Sequence, residues 1–155
     1  MRIFLTGGTG FIGRHLIKKL QNEGDSLLLL SRQAKISLPG HIQGDLSDLS
    51  RWKNRVKCFK PEITVHLAWG SLPNYDVQTN IKNLGYGLEL FTFLAEIGCK
   101  TILSAGSCWE YGQQSGKLSE DMALKPLNAF AAAKNSLHLL GEQIAKESNM
   151  QFVWT

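Results

Sequence analysis

Short apolar runs alternate along the chain with longer segments of helical periodicity. Leu27–Leu30 is a continuous apolar run, as expected of a strand that is covered on both faces. Segment 76–97 instead has apolar residues at helical spacing and stops at Gly98. The pattern predicts strands at 2–6, 27–30, 41–43, 62–68, 100–105 and 151–155, and helices at 10–22, 48–59, 76–97 and 128–147.

The alternation of strands and helices predicts a parallel sheet joined by right-handed crossovers. With glycines directly after the first strand, the expected fold class is α/β: a Rossmann-type doubly wound sheet in three layers, α/β/α, with strand order 3-2-1-4-5-6. Ser47 and Asn128 are the predicted N-caps of the second and fourth helices, and Pro39-Gly40 marks a turn. Ligands of such sheets bind at the carboxyl ends of the strands, so residues directly after each strand are the candidate site residues.

Glycines recur every third residue where the first strand meets the first helix, at Gly7, Gly10 and Gly13. This spacing is one residue wider than the G-x-G-x-x-G dinucleotide fingerprint. Such a turn directs backbone N–H groups and the positive end of a helix dipole at one point, which suits a pyrophosphate. A plain strand-to-helix turn is the alternative, but the position between a first strand and a following helix favours a cofactor site.

Composition indicates one globular domain and few special partners. A chain of 155 residues with 43% hydrophobic content is long enough for a single core. The net charge of +4 is mild and suits an anionic cofactor or substrate. The densest basic group, Arg51–Lys60, indicates the solvated face of a short helix. It has no aromatic platform beside it, so we expect no nucleic-acid partner.

Cys58, Cys99 and Cys108 are odd in number and lack the spacing of metal ligands, which indicates free thiols in a reducing compartment and no metal site. The first residues predict a strand rather than a signal peptide, and no apolar run approaches the roughly 20 residues of a membrane span. The expected location is therefore the cytoplasm, without a membrane partner.

In these features the chain resembles the extended short-chain dehydrogenase/reductase family, the nucleotide-sugar epimerases and dehydratases. The resemblance covers essentially all of the chain, with the motifs in the family's order, and it does not identify a substrate. The residues that carry it are the turn 6–13, Gly44-Asp45-Leu46, His66-Leu67-Ala68, Asn80, Ser107 with Tyr111-Gly112, and Lys134.

The resemblance implies a dinucleotide site. In the family the glycine turn holds the cofactor pyrophosphate, Asp45 and Leu46 flank the adenine, and Leu67 and Ala68 line the path to the nicotinamide. For Asp45 the alternative is a turn residue at the start of a helix, where aspartate is common; His66 is expected to be structural. The implied cofactor-binding residues are Gly7, Gly10, Phe11, Ile12, Gly13, Ser31, Arg32, Asp45, Leu46, Leu67, Ala68, Trp69, Asn80 and Lys134.

The end of the second strand predicts which dinucleotide binds. An acidic side chain there would accept from the ribose 2′-OH of NAD and repel a 2′-phosphate. This chain has Ser31 with Arg32 beside it, and a guanidinium can pair with a phosphate. NADP is therefore predicted over NAD, the alternative being that Arg32 is an exposed loop residue.

The family's catalytic groups are a Ser or Thr, a Tyr, and a Lys four residues after the Tyr. Ser107 and Lys134 match this pattern, but the tyrosine position holds Phe130. A phenyl ring has no proton to give, and general acid–base help contributes about 10²–10⁴-fold. Another group could supply the proton, with Tyr111, Cys108 or a group beyond residue 155 as candidates. Alternatively the reaction needs no strong acid, or the protein binds the dinucleotide without redox chemistry.

Dehydratase relatives carry an acidic pair directly after the Ser/Thr. Cys108 and Trp109 stand in those positions here, which argues against 4,6-dehydration. Glu110 lies one residue further along, so its side chain need not point into the site.

Family members run on for roughly as many residues again and add a lobe for the sugar nucleotide. We therefore expect residues 1–155 to be the NAD(P)-binding domain without the substrate lobe, and inactive alone on a nucleotide sugar. Helices 76–97 and 128–147 form a dimer interface in the family. Here their apolar residues could serve either a homodimer or the core: Phe91, Leu94, Leu137, Leu140 and Ile144.

The leading hypothesis is an NADP-binding half of an epimerase- or reductase-like enzyme that transfers hydride at a sugar carbon. The second hypothesis is a non-catalytic dinucleotide-binding protein or degenerate paralogue.

Overall fold

The structure is a computed structural model that describes residues 1–34, 36, 38 and 40–155. The turn predicted at Pro39-Gly40 includes Pro39, which lies outside the described residues.

Six parallel strands form the single sheet of the described residues. They are β1 (Arg2–Thr6), β2 (Ser26–Ser31), β3 (His41–Gln43), β4 (Ile63–His66), β5 (Thr101–Ser104) and β6 (Gln151–Trp154). Their order is β3-β2-β1-β4-β5-β6, which confirms the predicted doubly wound topology. Leu5 of β1 lies opposite Leu29 on one side and Val65 on the other, all three buried. The apolar runs are thus central strands covered on both faces.

In the described part of the chain four α-helices connect the strands, with a short 3₁₀ turn, Cys108–Tyr111, after β5. The helices are α1 (Phe11–Asn22), α2 (Leu49–Phe59), α3 (Val77–Glu96) and α4 (Ala129–Glu147). The predicted cap of α4 is confirmed, since Asn128 Oδ1 accepts from Ala131 N at 2.9 Å. The predicted cap of α2 is wrong by one residue: Asp48 holds the cap position. The reason is the turn before it: Asp45 Oδ1 accepts from Ser47 N and the Asp45 carbonyl accepts from Asp48 N, so Ser47 lies inside the turn and the helix begins after Asp48.

The core lies on both faces of the sheet, which confirms the three layers. On one face Leu20 of α1 packs against Ile3, Leu5, Leu29 and Val65. The other face packs against α2, α3 and α4, with these buried residues at its centre: Phe4, Trp52, Val56, Phe91, Leu94, Ile102 and Leu137.

Most of the apolar residues of α3 and α4 that could form a dimer interface are therefore part of the core. Phe91, Leu94 and Leu137 are fully buried within one chain, and Ile144 packs against the same cluster. Leu140 is 47% exposed. Burial within the chain accounts for four of the five residues, so a homodimer through these helices stays a prediction that rests on their outer faces.

Candidate functional site

The turn between β1 and α1 is closely packed and needs glycine at two positions. Gly7 has a φ of +73°, and a Cβ there would lie 2.6 Å from Ala68 N. A Cβ on Gly13 would lie 2.4 Å from the carbonyl oxygen of Gly7. Gly10 caps α1 without a side-chain hydrogen bond. The first N–H groups of α1 are therefore left for a ligand, and the turn fits an anionic group such as a pyrophosphate.

A cavity of about 500 Å³ opens beside this turn at the carboxyl ends of the strands. It runs from the ends of β2 and β3 to the loop 67–75 after β4. The predicted cofactor residues that line it are Gly7, Gly10, Ser31, Arg32, Asp45, Leu46, Leu67, Ala68 and Trp69. Nine of the predicted cofactor-binding residues therefore line one cavity.

Asp45 shapes a turn and also lines the cavity. Its Oδ1 accepts from Ser47 N at 2.9 Å, so it shapes the turn before α2, and it also lines the cavity. The hydrogen bond from Ser47 lowers the pKa of Asp45, and the nearby Arg32 charge adds to this effect. The carboxylate is therefore ionised and available as an acceptor at this end of the cavity.

Ser31 and Arg32 end β2 at the same place. Ser31 is buried, and its hydroxyl accepts from Gln33 N at 3.1 Å. The Arg32 side chain is 76% exposed, and its Nε lies 3.9 Å from Asp45 Oδ2. Such an exposed, distant pair is weak, so the guanidinium is free to meet a phosphate.

Phe11 and Ile12 project from the first turn of α1 and are 75% and 60% exposed. Within the part of the chain that the structure describes, neither residue nor Gly13 lines the cavity wall. Their backbone N–H groups, rather than their side chains, are what this turn offers to a ligand.

Asn80 lies behind the cavity wall and is 1% exposed. Its Oδ1 accepts from Trp69 Nε1 at 2.9 Å, and its Nδ2 donates to the Asp76 carbonyl at 2.8 Å. The structure thus places Asn80 where it orients Trp69.

Asn83 is a site residue that sequence reasoning missed. Its Oδ1 accepts from Gly70 N at 2.9 Å, and its Nδ2 donates to the Gly70 carbonyl at 3.0 Å. The amide therefore holds both backbone groups of one residue in the loop 67–75. Its spacing three residues after Asn80 on the same helix face was the available signal.

Lys134 is buried, with 4% exposure, near the end of β5. Its Nζ donates to the Ala105 carbonyl at 2.7 Å and lies 4.3 Å from the centre of the Trp69 ring. Burial lowers the pKa of Lys134 to about 8, although the nearby Glu110 charge acts in the opposite direction. Among the described residues, neither Lys134 nor Ser107 lines the cavity beside the glycine turn.

Ser107 and Glu110 are joined in a capping box at the 3₁₀ turn. Ser107 N donates to Glu110 Oε1 at 2.6 Å, and Ser107 Oγ accepts from Trp109 N at 3.3 Å. Glu110 is 2% exposed, and burial raises its pKa. Glu110, whose orientation the sequence did not predict, is therefore a buried acceptor that supports the 3₁₀ turn and lies close to Lys134.

Phe130 belongs to an aromatic cluster of four residues, formed with Trp69, Tyr75 and Trp109. Ring centroids lie 5.6 Å apart for Tyr75 and Phe130, 5.8 Å for Trp69 and Phe130, and 6.1 Å for Trp109 and Phe130. Tyr75 is 39% exposed and brings a phenol beside the position that lacks one. Sequence reasoning missed it because it stands 55 residues before Phe130 in a loop without periodicity.

The other proposed proton donors lie elsewhere. Cys108 and Tyr111 line a second cavity of about 580 Å³, with Ser107, Glu110 and His138. His66 is buried, and its Nδ1 lies 2.8 Å from Thr6 Oγ1. Burial lowers the pKa of His66 to about 3, so it is neutral and structural, as its position predicted.

No group of His, Cys, Asp or Glu side chains within residues 1–34, 36, 38 and 40–155 is arranged to hold a metal ion. In the same ranges no helix is long and apolar enough to cross a membrane.

Comparisons with known proteins agree with this arrangement. A dTDP-6-deoxy-L-talose 4-dehydrogenase (NAD(+)) of Aggregatibacter actinomycetemcomitans is 30% identical over 142 residues, which cover 88% of this chain and 53% of that protein. The UDP-glucose 4-epimerase of Thermus thermophilus, solved with NAD, matches 99% of this chain and 54% of its own, with a TM-score of 0.85 and 21% identity.

The Thermotoga maritima UDP-glucose 4-epimerase, solved with UDP-glucose, also has a TM-score of 0.85, at 20% identity over 99% of this chain and 54% of its own. The chain therefore spans about half the length of these relatives. The family model that matches it is described as the NAD dependent epimerase/dehydratase family and covers residues 3–155. With its glycine turn, strand order and cavity at the strand ends in the expected places, the chain belongs to the NAD dependent epimerase/dehydratase family and represents its nucleotide-binding N-terminal part.

Proposed function

We propose that this chain is the dinucleotide-binding domain of a nucleotide-sugar-modifying protein. The observation that carries the proposal is the cavity between the glycine turn and the strand ends, with an ionised Asp45 at one end and the free N–H groups of α1 beside it. Those groups are what an adenosine diphosphate moiety requires: an acceptor near the adenine and an anion site for the pyrophosphate.

NADP is the proposed cofactor over NAD. The support is the exposed Arg32 guanidinium at the end of β2, where the strand ends in Ser31 and Arg32 rather than in an acidic residue; the Asp45 carboxylate lies 3.9 Å from Arg32 Nε. The T. thermophilus epimerase was solved with NAD, so the preference needs direct measurement. Isothermal titration with both dinucleotides is the test: tighter binding of NADP, lost in Arg32→Ala, supports the preference, and tighter binding of NAD refutes it.

The proposed reaction is hydride transfer at a sugar carbon, with a nucleotide sugar as substrate. It is supported by family membership and by Ser107 and Lys134 at the family's catalytic positions. For the whole protein we propose this substrate class and a homodimer through α3 and α4. We also propose a cytoplasmic location, which the free Cys58, Cys99 and Cys108 support.

Non-catalytic dinucleotide binding is a second candidate, and Phe130 favours it because it lacks an ionisable hydroxyl. Turnover of the full-length protein with and without Phe130→Tyr separates the two. Activity that appears only with the substitution supports a degenerate site. Activity already present with Phe130 supports another proton donor, and Tyr75→Phe then tests the phenol of the aromatic cluster.

A further inference from the structure

Trp69 forms part of the wall of the cavity beside the glycine turn. The same wall includes, among the described residues, none of the three at the family's catalytic positions: Ser107, Phe130 and Lys134. Trp69 therefore stands between the space that fits the adenosine diphosphate group and the groups that would meet a nicotinamide.

Three contacts hold the Trp69 indole in this place. Its Nε1 donates to the buried Asn80 Oδ1 at 2.9 Å, its ring packs edge-on against Phe130 at 5.8 Å, and Lys134 Nζ lies over its face. The next residue, Gly70, is fixed on both backbone groups by Asn83. Because the indole and its backbone are both anchored, Trp69 forms a wall of the cavity.

The Lys134 ammonium already has partners within the chain. Its Nζ donates to the Ala105 carbonyl at 2.7 Å and lies 4.3 Å from the centre of the Trp69 ring and 5.8 Å from that of Trp154, and the side chain is 4% exposed. A ribose hydroxyl that approached this ammonium from the cavity would have to displace the Trp69 indole from its place beside Nζ. A charge-assisted hydrogen bond to a second ribose is therefore not offered by this arrangement.

We propose that the chain recognises the adenosine diphosphate half of a dinucleotide and that Trp69 keeps the nicotinamide half away from Lys134. This inference rests on the proposed dinucleotide cleft and on the second candidate function, non-catalytic binding, because hydride transfer would need the nicotinamide beside Lys134. It assigns the ligand class of the cleft: molecules that carry an adenosine diphosphate group, with little contribution from the groups attached beyond the second phosphate. Trp69 is a specificity-determining residue in this site.

Isothermal titration of the unmodified chain with ADP and with NAD tests the proposal. The expected dissociation constants agree within about threefold, because the nicotinamide riboside adds no contact to Lys134. A charge-assisted hydrogen bond between them would make NAD about tenfold tighter or more, and that result overturns the proposal. Failure of ADP itself to bind would instead overturn the proposed cleft, and this inference with it.

Two tryptophan variants locate the barrier. Trp69→Ala should make NAD bind about tenfold tighter than ADP, while ADP affinity changes by less than about threefold. Trp109→Ala is the matched control, because Trp109 belongs to the same aromatic cluster and contacts Phe130. The rings that Lys134 Nζ lies over are those of Trp69 and Trp154. Trp109→Ala should leave the two affinities equal.

Thermal unfolding verifies that each variant is folded before titration. If folded Trp69→Ala still binds ADP and NAD equally, Trp69 is not the barrier and the proposal is overturned. If that variant does not fold, Trp69→Leu takes its place, and the comparison of ADP with NAD on the unmodified chain decides the question independently.

Discussion

Replacement of Lys134 by methionine should remove a specific pH dependence of stability. Burial lowers the pKa of Lys134 from its ordinary value of 10.5 to about 8. Between these values the unfolded chain holds a proton on this lysine that the folded chain has released. Stability therefore rises with pH through this window, since it increases wherever the unfolded state binds more protons.

The size of this effect is set by the same two pKa values. The full difference corresponds to about 3 kcal/mol, at about 1.4 kcal/mol for each tenfold change in proton affinity. Between about pH 7 and about pH 9.5, most of the window is crossed, and the Lys134 contribution to the free energy of unfolding should rise by about 2 kcal/mol. The side chain is 4% exposed, so solvent screening does not reduce this figure much.

The assay is urea unfolding of the parent chain and Lys134→Met at both pH values, which cancels the titration of other groups. The parent should gain about 2 kcal/mol over the variant on going from about pH 7 to about pH 9.5. Lys82→Met, which removes an exposed lysine, is the control and should track the parent. A difference between parent and Lys134→Met that stays constant within about 0.5 kcal/mol would show that the ammonium is hydrated, and would refute the burial argument.

Three further substitutions test two residues of the cavity wall and one helix cap. Gly7→Ala should cost about 2 kcal/mol or more in urea unfolding, because a positive φ disfavours a side chain and the Cβ would meet Ala68 N at 2.6 Å; an unchanged midpoint would contradict this. Asn83→Ala should cost about 1–3 kcal/mol and speed hydrogen exchange at Gly70 N–H, whose acceptor it removes; unchanged exchange would mean that the loop is held by other contacts. Asn128→Ala should lower the free energy of unfolding by about 1 kcal/mol, because it removes the cap of α4, whereas Asn128→Gly should lower it less. A smaller decrease for Asn128→Ala than for Asn128→Gly would argue against the cap.

The sheet and the glycine turn could be predicted because they depend on local signals. Four consecutive leucines at Leu27–Leu30 fit a strand with two covered faces, and the turn glycines recur at fixed spacing. The cap of α2 shows where a local signal fails. Ser47 has the right side chain, but it lies inside the turn in which Asp45 accepts from Ser47 N and Asp48 N, and the helix starts one residue later than predicted.

The surroundings of the reacting groups depended on side chains from distant parts of the chain. Trp69 was predicted as a cofactor residue from its position after β4, which says nothing of the lysine 65 residues later on its ring face. Glu110 likewise turned inward because Ser107 N needed an acceptor, and Asn80 turned to the Trp69 indole. Spacing identifies which residues reach the carboxyl edge of the sheet, whereas their partners there are set by packing.

Phe130 and Trp69 are best understood as one change in the environment of Lys134. A tyrosine four residues before the lysine would offer its hydroxyl beside the ammonium, and the pair would need access to solvent or ligand. Phe130 offers no oxygen, so a buried ammonium must find other partners, because an unpaired buried charge is strongly unfavourable. The Ala105 carbonyl at 2.7 Å and the Trp69 ring at 4.3 Å supply them. Both residues act on the same ammonium, so the Phe130 and Trp69 substitutions should have non-additive effects on NAD affinity.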